Sequence, residues 1–466
     1  MQYTASAMNE KRLIVLVAVA FTLLASLALL FSIKAGIALF GGGVLIAVVF
    51  FKPFWGLLLY LSMLYLRPQE FVAALQNKPI MLLLAVLVLL TLIIHSAFQK
   101  RRLLALDARQ GIFMIVFFAI IIMSQLQRFY IGGARMAFDT FLPVFLLFFM
   151  IVNLVSSFAQ MKRAYLLLLV LTIFLALNGI LQHFRGFDIA GQDAFEGRIR
   201  WIGIFEDPND LGLTILAFTP FALLKVLQKK GSVLPRIGYL LTLGVLLYAL
   251  YLTNSRGTFI GFLVVLTYLA SRKWGMARGL LIAAVLGVAL LAVGPSRMSD
   301  LSTDEESASG RIVAWAQGLD LLKWRPVLGV GYGNFTEHHL LTAHNSVVLC
   351  MAELGFVGLY TWLALIVTMF HEMLTVEKQG KGSEYAFYAQ ALQLSLISFF
   401  AAGFFLSRTY NEVLYIILAL GAILSYFSQR QFGYKVQFLS RNMALAILAV
   451  SVGFIALIKV IVTIGG

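Results

Sequence analysis

The stretch Pro79-Ile80-Met81-Leu82-Leu83-Leu84-Ala85-Val86-Leu87-Val88-Leu89-Leu90-Thr91-Leu92-Ile93-Ile94-His95-Ser96-Ala97 runs without a formal charge. As a helix, about 20 such residues cross the roughly 30 Å hydrocarbon core of a bilayer. Similar segments recur from one end of the chain to the other. They fall near 13–31, 35–51, 54–66, 79–97, 111–127, 138–157, 164–183, 211–228, 237–254, 257–271, 279–294, 344–370, 385–406, 413–428 and 443–463. Segments 54–66 and 257–271 are short, so one of them is expected to be re-entrant or fused to a neighbour. Inside lipid the backbone must satisfy its own hydrogen bonds. The pattern therefore predicts an all-α, polytopic transmembrane bundle of about 12–15 spans.

Composition excludes the soluble alternatives. Of 466 residues, 61% are hydrophobic and 12% charged, with a mean hydropathy of +0.92. Soluble domains are about 45–50% apolar and about 25% charged. The first run, Leu13 to Phe31, follows Lys11 and Arg12. It exceeds a signal-peptide core of about 7–15 residues, so it reads as a retained first span. Cys350 is the single cysteine, so no internal disulfide forms and no redox or zinc signature is present. A net charge of +15 would suggest nucleic acid in a soluble protein. Here it asks which side of the bilayer holds the basic residues, and no nucleic-acid partner is expected.

Alternate connections answer that question. Lys11/Arg12, Lys100/Arg101/Arg102, Lys162/Arg163, Lys229/Lys230, Arg272/Lys273/Arg278 and Arg430/Lys435/Arg441 share one side, cytoplasmic by the positive-inside rule. The two longest connections, 184–210 and 295–343, then face the periplasm or cell exterior. Three regions result: N-terminal spans over 1–163, a region with both long loops over 164–430, and a cytoplasmic connection with the last span over 431–466. No internal repeat, low-complexity tract or separate soluble domain interrupts them.

The outer loops hold arginines, against the positive-inside bias. In the second loop, Ile312, Trp315, Leu319 and Leu322 recur at helical spacing. This predicts an amphipathic helix over Ser309–Trp324, capped by Ser309, preceded by Asp304, Glu305 and Glu306, and lying on the outer membrane face. Trp315 and Trp324 are expected at headgroup depth. Arg311 sits in its first turn. Arg256 lies between two apolar segments with almost no loop to solvate it, a placement that favours an aimed guanidinium over a snorkelling one. Glu206, Asp207 and Asp210 suit either a divalent cation or a turn at Pro208 that caps the next span. No histidine supports the cation, so no metal is assigned. The glycines after Pro326 lack the strand-to-helix setting of a phosphate loop. Glu353 reads as part of a proton path or as a partner for a neighbouring helix.

His344 draws these together. It stands where the polar loop meets an apolar helix. Imidazole titrates near neutrality and accepts a proton from a hydroxyl. Arginine binds phosphate through two donors and keeps its charge. The combination suits a reaction in which an alcohol attacks and a phosphate leaves.

Four stretches resemble the bacterial O-antigen ligase and O-antigen polymerase superfamily: Phe205-Glu206-Asp207-Pro208-Asn209-Asp210-Leu211, Ser255-Arg256-Gly257, Ser309-Gly310-Arg311 leading to Trp315, and Pro326 to Phe335 leading to His344-Asn345. The ligase pattern of His, then Asn, Ser or Gln, nine residues, Gly, two residues, Gly is met by His344, Asn345, Gly355 and Gly358. The likeness covers mainly residues 165–430. It implies a GT-C-like fold and an inverting, metal-independent glycosyltransferase of the bacterial inner membrane with no cofactor. The donor would be an undecaprenyl-pyrophosphate-linked glycan, the acceptor lipid A-core or another glycan, and the site would face the periplasm. By this resemblance His344 is the base, and Arg256 and Arg311 bind the pyrophosphate. Arg198, Arg200, Asn209, Asn345 and Trp315 are candidates for contacts to pyrophosphate or sugar. Trp201, Trp315 and Trp324 suit either stacking on sugars or anchoring at the interface. A polymerase shares donor and chemistry. A polyprenyl-glycan transporter or flippase is the alternative of another class, disfavoured because the charges gather at one face and no repeated halves are visible.

Overall fold

A computed structural model describes residues 33–98, 103–228, 232–293 and 301–465. The expected span 13–31 and the basic residues Lys11, Arg12, Lys100, Arg101, Arg102, Lys229 and Lys230 lie outside the described residues, as do the side chains of Asp304, Glu305 and Glu306.

The described chain is helical, with two isolated β-bridges, Phe187–Asp193 and Phe195–Arg198, in the first long loop. In chain order the helices are α1 (Ile33–Phe51), α2 (Pro53–Leu66), α3 (Pro68–Phe71), α4 (Ile80–Phe98), α5 (Leu104–Asp107), α6 (Arg109–Leu126), α7 (Ile131–Leu154), α8 (Phe158–Arg185) and α9 (Pro208–Leu227). They continue as α10 (Val233–Leu252), α11 (Arg256–Trp274), α12 (Met276–Val293), α13 (Leu301–Trp324), α14 (Ser346–Gln379), α15 (Glu384–Gly403), α16 (Glu412–Phe432) and α17 (Arg441–Gly465).

Among the described residues, ten helices are long and apolar enough to cross a membrane, or 11 if one bent pair is a single span. The pair is Phe40–Phe51 with Pro53–Leu66, bent by 120°. The cause is local: Pro53 opens α2, and a proline ring cannot continue a helix across Lys52. A bent pair of this kind, a broken span or a re-entrant loop, accords with the re-entrant or fused element anticipated for one of the two short segments. The expected segments 257–271 and 279–294 also form helices, α11 and α12, which pack against each other but are not among the ten. α9, α14 and α16 are mostly buried and form the centre, whereas α4, α10 and α17 leave most of their apolar surface uncovered, as lipid-facing helices do.

Alternation of the helices sorts the connections onto two ends. Trp201 Nε1 donates to the Tyr65 carbonyl (2.9 Å) and Gln125 Nε2 to the Tyr332 carbonyl (2.6 Å), joining the loops of one end. At the other end Arg109 reaches Glu372 and the Gln437 carbonyl, and Lys162 meets Glu384. Lys162, Arg163, Arg272, Lys273, Arg430, Lys435 and Arg441 belong to this second end; His344 belongs to the first.

One expected element is corrected. The helix around Arg311 spans Leu301–Trp324 among the described residues, so it does not start at Ser309. Ser309 is therefore inside the helix and not its N-cap: no glycine or proline stands between Leu301 and Ser309 to interrupt it. Its apolar face is also aimed differently. Ala314, Trp315 and Leu319 are buried, because α13 packs onto α14 and α17 rather than only lying on lipid.

Candidate active site

The site begins at the N-terminus of α14. Asn345 is the N-cap, its Oδ1 accepting from the amides of Val347 (2.9 Å) and Val348 (3.0 Å). Its Nδ2 is buried with no hydrogen-bond partner. His344, one residue earlier, adopts φ 46°, a left-handed conformation in which histidine is enriched among non-glycine residues. Both flanks are pinned. Trp315 Nε1 donates to the Ala343 carbonyl (3.0 Å). Ser346 Oγ donates to the Leu406 carbonyl (2.7 Å) and accepts from the Arg408 amide (2.9 Å), while Thr409 Oγ1 donates to the Ser346 carbonyl (2.7 Å). Thr342 and Ser407 share a hydroxyl hydrogen bond. The histidine loop is thus bound to the connection between α15 and α16.

The imidazole is half-buried. Burial pushes its pKa below the usual 6.5, the guanidinium charges of Arg311 and Arg408 push the same way, and Asp207 opposes them. The result is a neutral ring at neutral pH, the form that accepts a proton.

The two glycine motifs form one device. α14 breaks at Gly355, where φ is 66° and ψ −166°. Residues 326–331 run along the break. The amides of Val330 and Gly331 donate to the carbonyls of Ala352 and Glu353 (2.9 Å each), and those of Phe356 and Val357 donate to Pro326 (2.8 Å) and Val327 (3.2 Å). Any Cβ on Gly355 would lie 2.4 Å from the carbonyl carbon and oxygen of Val327, and one on Gly329 would lie 2.3 Å from the carbonyl carbon of Glu353. The C-terminal end of α6 holds the same segment: Gln127 Nε2 donates to the Gly329 carbonyl (2.6 Å), and Ser124 Oγ accepts from the Tyr332 amide (3.0 Å). Glu353, buried beside the break, accepts from the Tyr410 hydroxyl (2.9 Å) and the Phe335 amide (3.3 Å). Of its two expected roles, this geometry is that of a structural partner.

Facing the histidine loop is a charge network that the sequence reading missed. Arg408 ion-pairs with Asp210 and with Asp207 Oδ2 (3.2 Å), and its Nη1 donates to the Ser407 carbonyl (3.1 Å). Asp207 also caps α9, accepting from the amide (2.8 Å) and side-chain nitrogen (2.9 Å) of Asn209. Asn209 Oδ1 accepts from Arg198 Nη2 (2.9 Å), and Arg198 Nε donates to the Thr253 carbonyl (2.8 Å). The acidic cluster considered for a cation is therefore a fork around Arg408 combined with the turn at Pro208. Arg408 carried the mark that drew attention to Arg256: an arginine in a short connection between two apolar spans, on the side of the long loops.

The other expected residues are placed as follows. Arg311 lies on α13 near enough to His344 to bias its charge. Arg256 opens α11 at the same end; a Cβ on the next residue, Gly257, would stand 3.4 Å from the Ala402 carbonyl and from Phe405, which lead into the Arg408 connection. Arg200 turns aside, its Nε donating to the Asp193 carbonyl (3.0 Å) and its guanidinium over the Phe195 ring. Trp315 and Trp201 are buried with their indole N–H groups bonded to backbone, which suits neither of the two alternatives, an exposed stacking face or an interfacial anchor. Trp315 instead holds the residue before His344 and touches Phe404 edge-on. Trp324 is exposed.

Residues 241–363 match the family model described as O-antigen ligase. This match supports the likeness to the O-antigen ligase and polymerase superfamily over that part of the chain. No curated protein matches it. The matched ligase domain runs from within α10 to just past the break in α14, and so contains Arg256, Arg311, Trp315, His344, Asn345, Gly355 and Gly358. Arg198, Asn209 and Arg408 lie outside it and reach its residues through Thr253 and Ser346. The superfamily is one of membrane glycosyltransferases, in accord with the multi-pass helical architecture.

Proposed function

We propose that this protein transfers a glycan from undecaprenyl pyrophosphate to an acceptor hydroxyl at the periplasmic face of a bacterial inner membrane, a ligase-type reaction with lipid A-core or a similar glycan as acceptor. The observation that carries the reading is His344: a pinned, half-buried imidazole held neutral, within electrostatic reach of Arg311, inside the segment that matches the O-antigen ligase model. His344 accepts the proton of the attacking hydroxyl. The hydroxyl oxygen bonds to the anomeric carbon as the bond from that carbon to the pyrophosphate oxygen breaks, so configuration inverts. Negative charge collects on the departing diphosphate, and Arg311 and Arg256 stabilise it in a site of low dielectric. Asn345 adds a buried amide donor that no protein group uses. Arg408 positions: its guanidinium is occupied by Asp207, Asp210 and the Ser407 carbonyl, and its amide fixes Ser346. The gathering of basic residues at the opposite end supports the periplasmic orientation.

The test is a purified assay with a polyprenyl-pyrophosphate glycan. His344→Ala inserts, melts like the parent and transfers nothing; near-normal transfer by that variant removes His344 as the base. A deletion strain separates ligase from polymerase. Loss of every long chain from lipid A-core indicates ligase, and a single repeat left on the acceptor indicates polymerase.

A further inference from the structure

At the end of the bundle away from His344, the bend between α1 and α2, the C-terminal end of α4 and the start of α8 enclose a cavity of about 330 Å³. That is at the low end of ligand-pocket sizes, about 300–1,000 Å³. Its polar lining holds three basic groups, Lys52 at the bend, Arg163 in the second turn of α8, and His95, whose Nδ1 donates to the Thr91 carbonyl (3.0 Å), beside the neutral Ser96, Asn153, Ser156 and Gln160. No aspartate or glutamate lines it. Lys162, next to Arg163, is neutralised by Glu384 (2.8 Å), but among the described residues neither Arg163 nor Lys52 has an acidic partner. Trp55 and Leu92 are among its apolar walls. The neighbouring faces of α1 and α4 expose Val44, Leu45, Val48, Leu90 and Ile93.

We propose that this cavity binds the phosphodiester headgroup of an anionic phospholipid. Two unneutralised cations, one a guanidinium fork and the other a point charge, suit a phosphate group. Basic pockets between membrane helices are where such headgroups are held. The apolar rim separates this occupant from free phosphate, which has no use for it: acyl chains leaving the pocket meet the uncovered faces of α1 and α4. The site is independent of the glycan-transfer reading.

The test uses the delipidated full-length protein in neutral detergent, followed by native mass spectrometry and thermal shift. The probes are phosphatidylglycerol, phosphatidylcholine and inorganic phosphate at matched concentration. Phosphatidylglycerol is expected to be retained and to raise the apparent melting temperature, with the other two weaker. Lys52→Ala and Arg163→Ala, both at exposed positions, should each weaken retention roughly tenfold, as expected for losing one charge-assisted contact. Arg163→Lys should keep part of it. Equal retention of phosphatidylcholine by the parent overturns the proposal without any variant. Equal stabilisation by inorganic phosphate overturns the lipid occupant, and unchanged phosphatidylglycerol binding in the alanine variants overturns the site.

Discussion

Gly355→Ala is the most direct test of how the fold holds its candidate base. The residue adopts φ 66° and ψ −166°, a region essentially closed to residues with a side chain and costing about 1–3 kcal/mol where it is forced. The added methyl would lie 2.4 Å from two backbone atoms of Val327 and 2.6 Å from the Gly329 nitrogen. Backbone cannot swing away as a side chain does, so segment 326–331 must shift. The four backbone hydrogen bonds across the break go with it, each contributing about 0.5–1.5 kcal/mol. Strain and lost bonds together reach roughly 3–9 kcal/mol, a large part of a typical stability of about 5–15 kcal/mol. The variant should melt well below the parent in detergent and lose most glycan transfer, because His344 stands on the same helix start. Gly453→Ala is the control: it lies in α17 with nothing within 4 Å of the new methyl, and should be neutral or slightly stabilising. A Gly355→Ala protein that melts and transfers like the parent would refute the reasoning.

Other outcomes follow from the same geometry. Arg311→Lys and Arg256→Lys should each lower the transfer rate about 10²–10³-fold in the lipid-linked donor assay, since a point charge does not replace a fork; full activity in both removes them from the pyrophosphate site. The acidic limb of the pH–rate profile should lie below 6.5, because the lowered pKa of His344 keeps the base unprotonated to lower pH. In Arg408→Gln that limb should move to higher pH, because one charge that lowers the imidazole is gone and Asp207, which raises it, remains; an unmoved limb shows that Arg408 does not act on the histidine. The same variant leaves Asp210 without its partner and should lose about 1–3 kcal/mol, less than for a fully buried pair because Arg408 keeps 22% exposure. EDTA should leave turnover intact, and loss restored by Mg²⁺ would reopen Asp207 and Asp210 as a cation site.

The spans were legible because apolar length is a one-dimensional signal, and so was the side on which the basic residues gather. The shortness of segment 54–66 already marked it as one of two candidates for a re-entrant or fused element, and it belongs to the bent pair. What was not legible was orientation. The face Ile312, Trp315, Leu319, Leu322 is apolar whether it meets lipid or α14, and only packing decides; burial of Trp315 answers for protein. The start of α13 was misplaced because a serine reads as a cap only when the helix begins there. Arg408 was missed for a related reason. Its acidic partner Asp210 lies 198 residues away, so nothing local in the sequence pairs them.

The glycine spacing was visible as a motif, but its physical meaning is tertiary. A helix that opens in apolar surroundings frees carbonyls and amides that lipid cannot satisfy, so such a break survives only where other protein groups meet them. Here the carbonyls of Ala352 and Glu353 and the amides of Phe356 and Val357 are all taken by residues 326–331. Both strands of that contact need glycine, Gly329 on one and Gly355 on the other, because the two backbones approach too closely for any Cβ. The segment that closes the break is followed, after Phe335, by the residues that lead to His344. The loop that repairs the helix is therefore the loop that delivers the base. This coupling gives a physical reason for a histidine and two distant glycines to travel together as one motif: moving either glycine shifts the ground on which the imidazole stands.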